Sequence, residues 1–254
     1  IYPVWEHDPV TGEFILDDNG KRIYDLGFGP PARPSGASPG RHPVQETELN
    51  KTFFERTVIS GRGYAEADFL KYFNFRVNAG IDLYGYYETG YDNKIVGDGA
   101  PAGRANRIHS NEVSVTLNQL LSFKRTFADV HNVSALVGHE SYSFVDNAFS
   151  ASKQAQIVDG IDELINFTEI NSATGSTSDE AIESFLSRVE YDYNGKYFLS
   201  GSFRRDGSSR FSPAKRWGNF FSVGASWRLE TETFMSSLTW INALKLRASY
   251  GQTG

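Results

Sequence analysis

The stretch Phe73-Asn-Phe-Arg-Val-Asn-Ala-Gly-Ile-Asp-Leu-Tyr-Gly-Tyr-Tyr87 decides the fold class. Its odd positions Phe73, Phe75, Val77, Ala79, Ile81, Leu83, Gly85 and Tyr87 are apolar or aromatic. Its even positions Asn74, Arg76, Asn78, Gly80 and Asp82 are mostly polar, before Tyr84 and Tyr86. Strict alternation describes a strand with one apolar and one polar face. The stretch is much longer than the usual soluble strand of about 5–6 residues, and long enough for a bilayer-crossing strand of about 9–11 tilted residues. Aromatics gather at its two ends: Phe69, Tyr72 and Phe73 on one side, Tyr84, Tyr86, Tyr87 and Tyr91 on the other. From Phe73 to Tyr84 the chain extends about 36 Å at ~3.3 Å per residue. At a ~40° tilt this projects to about 28 Å, close to the ~25 Å apolar band between aromatic girdles.

The same period recurs on both sides. Val113, Val115, Leu117, Gln119, Leu121 and Phe123 alternate with Ser114, Thr116, Asn118, Leu120 and Ser122, so that Gln119 and Leu120 each break the rule once. Phe221, Val223, Ala225, Trp227 and Leu229 alternate with Ser222, Gly224, Ser226 and Arg228; Leu244, Leu246, Ala248 and Tyr250 alternate with Lys245, Arg247 and Ser249. Eight strands are predicted, over 52–69, 73–88, 108–127, 132–145, 181–193, 197–207, 216–229 and 244–251. Short links at 70–72, 128–131 and 194–196 alternate with longer ones at 89–107, 146–180 and 208–215; the link 230–243 departs from this rhythm and carries a possible helical turn. Alternating short and long links, long strands and arginine on the polar face predict an all-β antiparallel transmembrane barrel section, with short periplasmic turns and long extracellular loops. A soluble sandwich or lipocalin-like barrel, with the apolar face inward, is the alternative that periodicity leaves open. The spacing of Ile157, Ile161 and Leu164 predicts a short helix over 148–165 in an outer loop.

Composition removes other classes. The 254 residues hold 25 basic and 31 acidic groups, a net charge of −6 that argues against a nucleic-acid partner. There is no cysteine, hence no disulfide and no thiolate zinc site. No run of ~18 apolar residues predicts a membrane helix. The start Ile1-Tyr-Pro-Val-Trp5 has no basic or apolar leader character, and Ala248–Gly254 stops in mid-pattern; the expectation is a piece of a longer protein. Chemical motifs fail on inspection. Gly97-Asp-Gly99-Ala-Pro-Ala102 and Gly27-Phe-Gly29-Pro-Pro-Ala32 have the spacing of a dinucleotide loop but carry internal prolines and no following helix. His139-Glu140 begins a zinc-helix pattern that ends at Ser143. Asp17-Asp-Asn-Gly20 would need Ile15 as a calcium ligand. No Gly-x-Ser-x-Gly occurs, the five histidines show no paired spacing, and Asp162-Glu163 lies in a polar stretch. No catalytic, metal or cofactor site is predicted.

Residues 1–50 form a separate region. Asp17-Asp-Asn-Gly20 lies between Glu13–Leu16 and Lys21–Tyr24, an Asn-Gly hairpin signal; Pro30–Gly40 is loop chemistry. Near the other end, Arg204, Arg205, Arg210 and Arg216 crowd two alternating strands. Such arginines either tie a loop to carboxylates through forked hydrogen bonds or contact a substrate at a barrel mouth.

The segments Ser202-Phe-Arg-Arg-Asp-Gly-Ser-Ser-Arg-Phe211, Arg216-Trp-Gly-Asn-Phe-Phe-Ser-Val-Gly-Ala-Ser-Trp-Arg228 and Leu244-Lys-Leu-Arg-Ala-Ser-Tyr-Gly-Gln-Thr-Gly254, with Phe73–Asp82 upstream, resemble the SusC/RagA-type TonB-dependent outer-membrane transporters. The resemblance covers 197–254 most closely and 51–145 less so. It implies a non-enzyme of the Gram-negative outer membrane that imports oligosaccharides, glycan fragments or peptides. It also implies three partners: a SusD-like surface lipoprotein, TonB through a part of the chain not found here, and outer-membrane lipids. On this reading residues 1–50 are an extracellular loop with a small hairpin. Residues 51–254 are part of a large barrel whose plug and remaining strands lie elsewhere. Even positions such as Asn74, Arg76, Asn118, Ser202 and Arg204 face the lumen, and odd apolar positions face lipid. Candidate substrate contacts are Arg76, Arg204 and Arg210, with Trp5, Tyr91 and Tyr142 as rings for stacking on a sugar face; each ring also fits a girdle or loop-packing role. A passive porin, a receptor for iron chelates and a soluble glycan-binding β-domain remain alternatives.

Overall fold

The computed structural model describes residues 2–28 and 38–252. The described chain is all-β apart from short helical pieces. One helix, α1 (Pro43–Leu49), is followed by β1 (Lys51–Phe69), β2 (Phe73–Asp92), β3 (Arg104–Phe127), β4 (His131–Gln156), β5 (Phe167–Tyr193), β6 (Tyr197–Ser208), β7 (Trp217–Arg228) and β8 (Lys245–Gln252). They form one antiparallel sheet in strict sequence order, β1 to β8. β1 and β8 are its edges, so the sheet does not close on itself. No helix among the described residues is long and apolar enough to cross a membrane.

Three links, 70–72, 128–130 and 194–196, each begin with two residues at positive φ: Leu70–Lys71 (47° and 63°), Ala128–Asp129 (46° and 58°) and Asn194–Gly195 (51° and 65°). This is the hairpin geometry whose twist matches that of the flanking strands. Asn194–Gly195 suits it chemically, whereas Leu70, Lys71, Ala128 and Asp129 adopt it despite their side chains.

Two corrections to the sequence reading follow. The stretch 146–180 is not a long loop: β4 runs on to Gln156 and β5 begins at Phe167, and the link 157–166 contains a 3-10 turn at Leu164–Asn166 rather than a helix. Gly160 at φ +79° interrupts the stripe that suggested one. The link 89–107 likewise shrinks, since strand pairing continues to Asp92 and resumes at Arg104. The link after β7 holds two 3-10 turns, Leu229–Thr231 and Thr233–Met235. Residues 29–37, which hold most of the Pro30–Gly40 loop and part of the Gly27–Ala32 motif, and the last two residues of the family-like block lie outside the described residues.

The chain divides into two compact units. The first comprises 1–57, 84–111 and 147–177. All the buried hydrophobic side chains among the described residues belong to it: Tyr2, Tyr91, Val96, Ala105 and Phe167. Much of its interior is polar. His42 caps α1 by accepting from Val44 N (3.2 Å), and its Nε2 lies 2.9 Å from Tyr2 O. Gln45, fully buried, donates to Val4 O (2.8 Å) and Asp25 O (2.7 Å). Asn93 donates to Asn50 Oδ1 and Val96 O, and Arg107 to Asn106 O and Asp162 O. The hairpin near the N-terminus pairs Leu16 with Arg22, and Trp5 pairs with Tyr24.

The second unit comprises 58–83, 112–146 and 178–254. Among its described residues no hydrophobic side chain is buried; Val137, Val189, Leu199, Phe203, Phe221 and Val223 all stand open, at 41–56% exposure. A sheet needs its apolar face covered, and a contiguous open apolar surface of this kind marks a contact with membrane or partner.

Candidate functional site

The second unit presents two chemically opposite faces. In β1 to β7 the even positions share the polar face. The β7–β8 register, Ser226 opposite Arg247 and Arg228 opposite Lys245, brings the odd residues of β8 to the same side. Neighbouring strands knit that face with side-chain hydrogen bonds. Asp82 accepts from Ser60 Oγ (2.6 Å), Arg62 Nη2 (2.6 Å) and Ser114 Oγ (3.4 Å). Asn78 Nδ2 donates to Asn118 Oδ1 at 2.6 Å, and the Ser202 and Ser222 hydroxyls lie 2.7 Å apart.

The arginine candidates are tied into this lattice. Arg76 donates through Nε (3.1 Å) and Nη2 (2.6 Å) to Glu66 Oε2. Arg204 donates through Nε to Asp206 Oδ1 at 2.6 Å and Oδ2 at 2.9 Å. Its Nη2 reaches Ser184 Oγ (3.1 Å) and Glu140 Oε1 (3.4 Å). Arg210, in the β6–β7 link, pairs with Glu180 of β5 at 2.7 Å. Beside Arg204 a cleft of about 880 Å³ is lined by Phe211, Phe220, Lys215 and Arg216. Among the described residues no carboxylate pairs with Lys215 or Arg216, so this cleft offers free cations next to aromatic rings.

The aromatic candidates sit elsewhere. In the first unit Trp5 stacks on Tyr24 with centroids 4.4 Å apart. Tyr91, 8% exposed, donates to Gln156 Oε1 at 3.1 Å and meets Phe167 edge-on at 6.4 Å. Tyr142 is half-buried on the polar side of β4. The described residues contain no group of three or more histidine, aspartate or glutamate side chains placed to hold a metal.

Gln119 and Leu120, the two breaks in the β3 alternation, have partners. Leu120 points to the polar face and packs with Leu186 over Gly138, where an added Cβ would lie 2.6 Å from Leu120 Cδ2 and 3.0 Å from Leu186 Cδ1. Gln119 points to the apolar face and meets His139, its Oε1 2.8 Å from His139 Nδ1. The sequence shows both breaks; it does not show that a glycine opposite lets the leucine fit.

Aromatic rings edge the apolar face. Phe69, Phe73 and Phe123 pack in succession at 5.6 and 5.1 Å, and Tyr193, Tyr197 and Trp227 stack at 6.2 and 6.0 Å.

Comparison with known proteins agrees. TonB-dependent receptor P39 of Formosa agariphila is 40% identical over 140 residues, which is 52% of this chain and 13% of that protein. TonB-dependent receptor SusC of Bacteroides thetaiotaomicron is 30% identical over 119 residues, 47% of this chain and 12% of that protein. The structure of the RagAB peptide transporter shares the fold over 92% of this chain and 26% of that one, with a TM-score of 0.77 at 23% identity. No family model matches the chain. The fold and these relatives define a section of a TonB-dependent receptor, and the matched stretches span only about an eighth of the curated relatives' length. Within that class the chain resembles the SusC/RagA type.

Proposed function

We propose that the chain is part of the wall of an outer-membrane β-barrel that imports oligosaccharides, glycan fragments or peptides, driven by TonB and assisted by a SusD-like surface lipoprotein. The carrying observation is the 40% identity to a TonB-dependent receptor over 140 residues. Three physical features support the assignment of faces. The apolar face of the second unit has no cover of its own. Aromatic rings edge that face, at Phe69, Phe73 and Phe123 and at Tyr193, Tyr197 and Trp227. Trp217 and Trp227, ten residues apart on β7, enclose a band that projects to about 23–27 Å at the ~35–45° tilt of transmembrane barrels. The opposite face is a wet-compatible lattice of Ser, Asn, Asp, Glu and Arg that suits a lumen. Residues 1–50 and the links 93–103 and 157–166 face the cell exterior, and the short turns face the periplasm. Arg204 and the cleft holding Lys215, Arg216, Phe211 and Phe220 supply hydrogen-bond donors and rings to passing substrate, with Arg76, Arg210, Trp5, Tyr91 and Tyr142 as further contacts.

The test is uptake of labelled oligosaccharides and labelled peptides by cells carrying the full-length receptor, with and without TonB and the lipoprotein. TonB-dependent entry of oligosaccharide or peptide supports the reading, and which of the two enters fixes the substrate class. Entry of iron chelates alone overturns it; entry without TonB makes the protein a passive pore.

A further inference from the structure

One strip interrupts the apolar face of the second unit. His139 Nε2 lies 3.0 Å from Glu183 Oε1, and its Nδ1 faces Gln119. The His139 ring packs on Phe185 with centroids 5.0 Å apart, and Phe185 stacks on Trp217 at 6.2 Å. The Arg205 guanidinium lies over the Trp217 ring, 5.0 Å from its centroid. Arg205 stands directly opposite Phe185 on one side and Asn219 on the other. Six side chains from β3 to β7 thus form one continuous polar and aromatic line.

Its height is informative. Between this line and the Tyr193–Tyr197–Trp227 stack the same face is apolar, with Val137, Val189, Leu199, Phe203 and Val223 in the interval. The line lies toward the β6–β7 link, ten residues from the stack at Glu183 on β5 and Trp217 on β7 and eight at Arg205 on β6. That is one band-height, so the strip marks the level where hydrocarbon gives way to headgroups. Charge is tolerated at this level far better than at the midplane. Among the described residues no carboxylate pairs with Arg205.

We propose that this strip binds the phosphorylated sugar headgroup of an outer-leaflet glycolipid. Arg205, stacked on Trp217, offers its planar fork to a phosphate. Gln119, His139 and Glu183 offer donors and acceptors to sugar hydroxyls. Phe185 and Trp217 cover the apolar sugar face, while acyl chains run down the band below. Charge and height together select this occupant: a free cation with adjoining hydroxyl-binding groups, at the rim of a hydrocarbon-facing wall. The inference rests on the orientation given under Proposed function.

The experiment uses the full-length receptor in mild detergent, exchanged against lipid A or its dephosphorylated form, with bound lipid counted by native mass spectrometry. The protein is expected to retain lipid A about tenfold better than the dephosphorylated lipid, since charge-assisted hydrogen bonds are lost with the phosphates. The pair Arg205→Ala and His139→Ala together is expected to abolish that preference, while Thr126→Ala keeps it. Equal retention of the two lipids by the unaltered protein overturns the proposal, and that arm requires no variant to fold. So does a preference unchanged in the double variant, or a loss of self-association in place of lipid. A spin label at Val223 in bilayers separates the premises: a label in lipid without headgroup preference defeats this proposal alone, and a label in water defeats the orientation as well.

Discussion

Placing arginine at Val223 tests the assignment of faces with a calculable cost. Val223 lies on β7, opposite Gly201 of β6 and Tyr250 of β8, and is 53% exposed on the apolar face. It is four residues from Trp227 and six from Trp217. At a 35° tilt that places it about 11 Å above one aromatic edge and about 16 Å below the other. Arginine at such depth in a barrel costs about 2–4 kcal/mol, roughly thirtyfold to several hundredfold in the folding equilibrium. The matched control is Ser200→Arg on the polar face. Ser200 stands opposite Glu190 on one side and Gly224 on the other, so the new cation meets a carboxylate, an exchange worth about 0.2–1 kcal/mol in its favour. The assay is reversible denaturant unfolding of the full-length receptor in lipid vesicles. A loss of about 2–4 kcal/mol in Val223→Arg with under about 1 kcal/mol in Ser200→Arg is expected. Equal losses, or a larger loss in Ser200→Arg, would refute the sidedness.

Three further outcomes are expected. Replacing Leu70 and Lys71, both at positive φ, by Asn-Gly removes left-handed strain and raises stability by about 1–2 kcal/mol, read as a higher unfolding midpoint; no change would mean the turn is unstrained. Gly138→Val forces Leu120 and Leu186 apart, because a Cβ there meets Leu120 Cδ2 at 2.6 Å, and is expected to cost about 1–3 kcal/mol by the same assay. Glu232, in the link after β7, accepts from Tyr197 Oη (2.7 Å), Trp227 Nε1 (3.1 Å) and Lys196 Nζ (3.5 Å). Chiefly the Tyr197 hydrogen bond, then that of Trp227, holds its carboxyl below the usual 4.5. A depressed carboxyl stabilises the fold fully above its unfolded value and loses that contribution as pH falls through the folded one. The protection of amides in 229–244, taken relative to their intrinsic exchange rate at each pH, is therefore expected to be constant above about pH 5, to fall below it, and to lose that acid dependence in Glu232→Gln.

The strands were legible where the environment is two-sided. Apolar residues at every second position within 73–87, 113–123, 221–229 and 244–250 reported one wet and one dry face, and each of the eight strands overlaps its predicted segment, with β4 and β5 running well past theirs. Alternation was silent where both faces are wet. The stretch Asn147–Gln156 and its partner Phe167–Glu180 carry Ser, Thr, Ala, Asn and Lys with little apolar contrast, yet pair as strands because the backbone ladder needs no apolar side chain. The interior of the first unit was hidden for a related reason: His42, Gln45, Asp25 and Asn93 are buried through hydrogen bonds to backbone and neighbouring amides, which no hydrophobic pattern announces. Among the candidate residues, the arginine crowding was visible, but which carboxylate holds each arginine depends on register. Glu66 with Arg76, and Glu180 with Arg210, are pairs that only the folded sheet reveals.

The most direct test of the central claim is a nitroxide scan of positions 199–205 and 219–226 in the full-length receptor in bilayers, reading collision with oxygen against a water-soluble nickel chelate. Greater oxygen access at Leu199, Gly201, Phe203, Phe221, Val223 and Ala225, with nickel access or protein contact at the even positions between them, is the expected result. The opposite phase, or no alternation at all, would contradict the reading of this chain as a lipid-facing barrel wall.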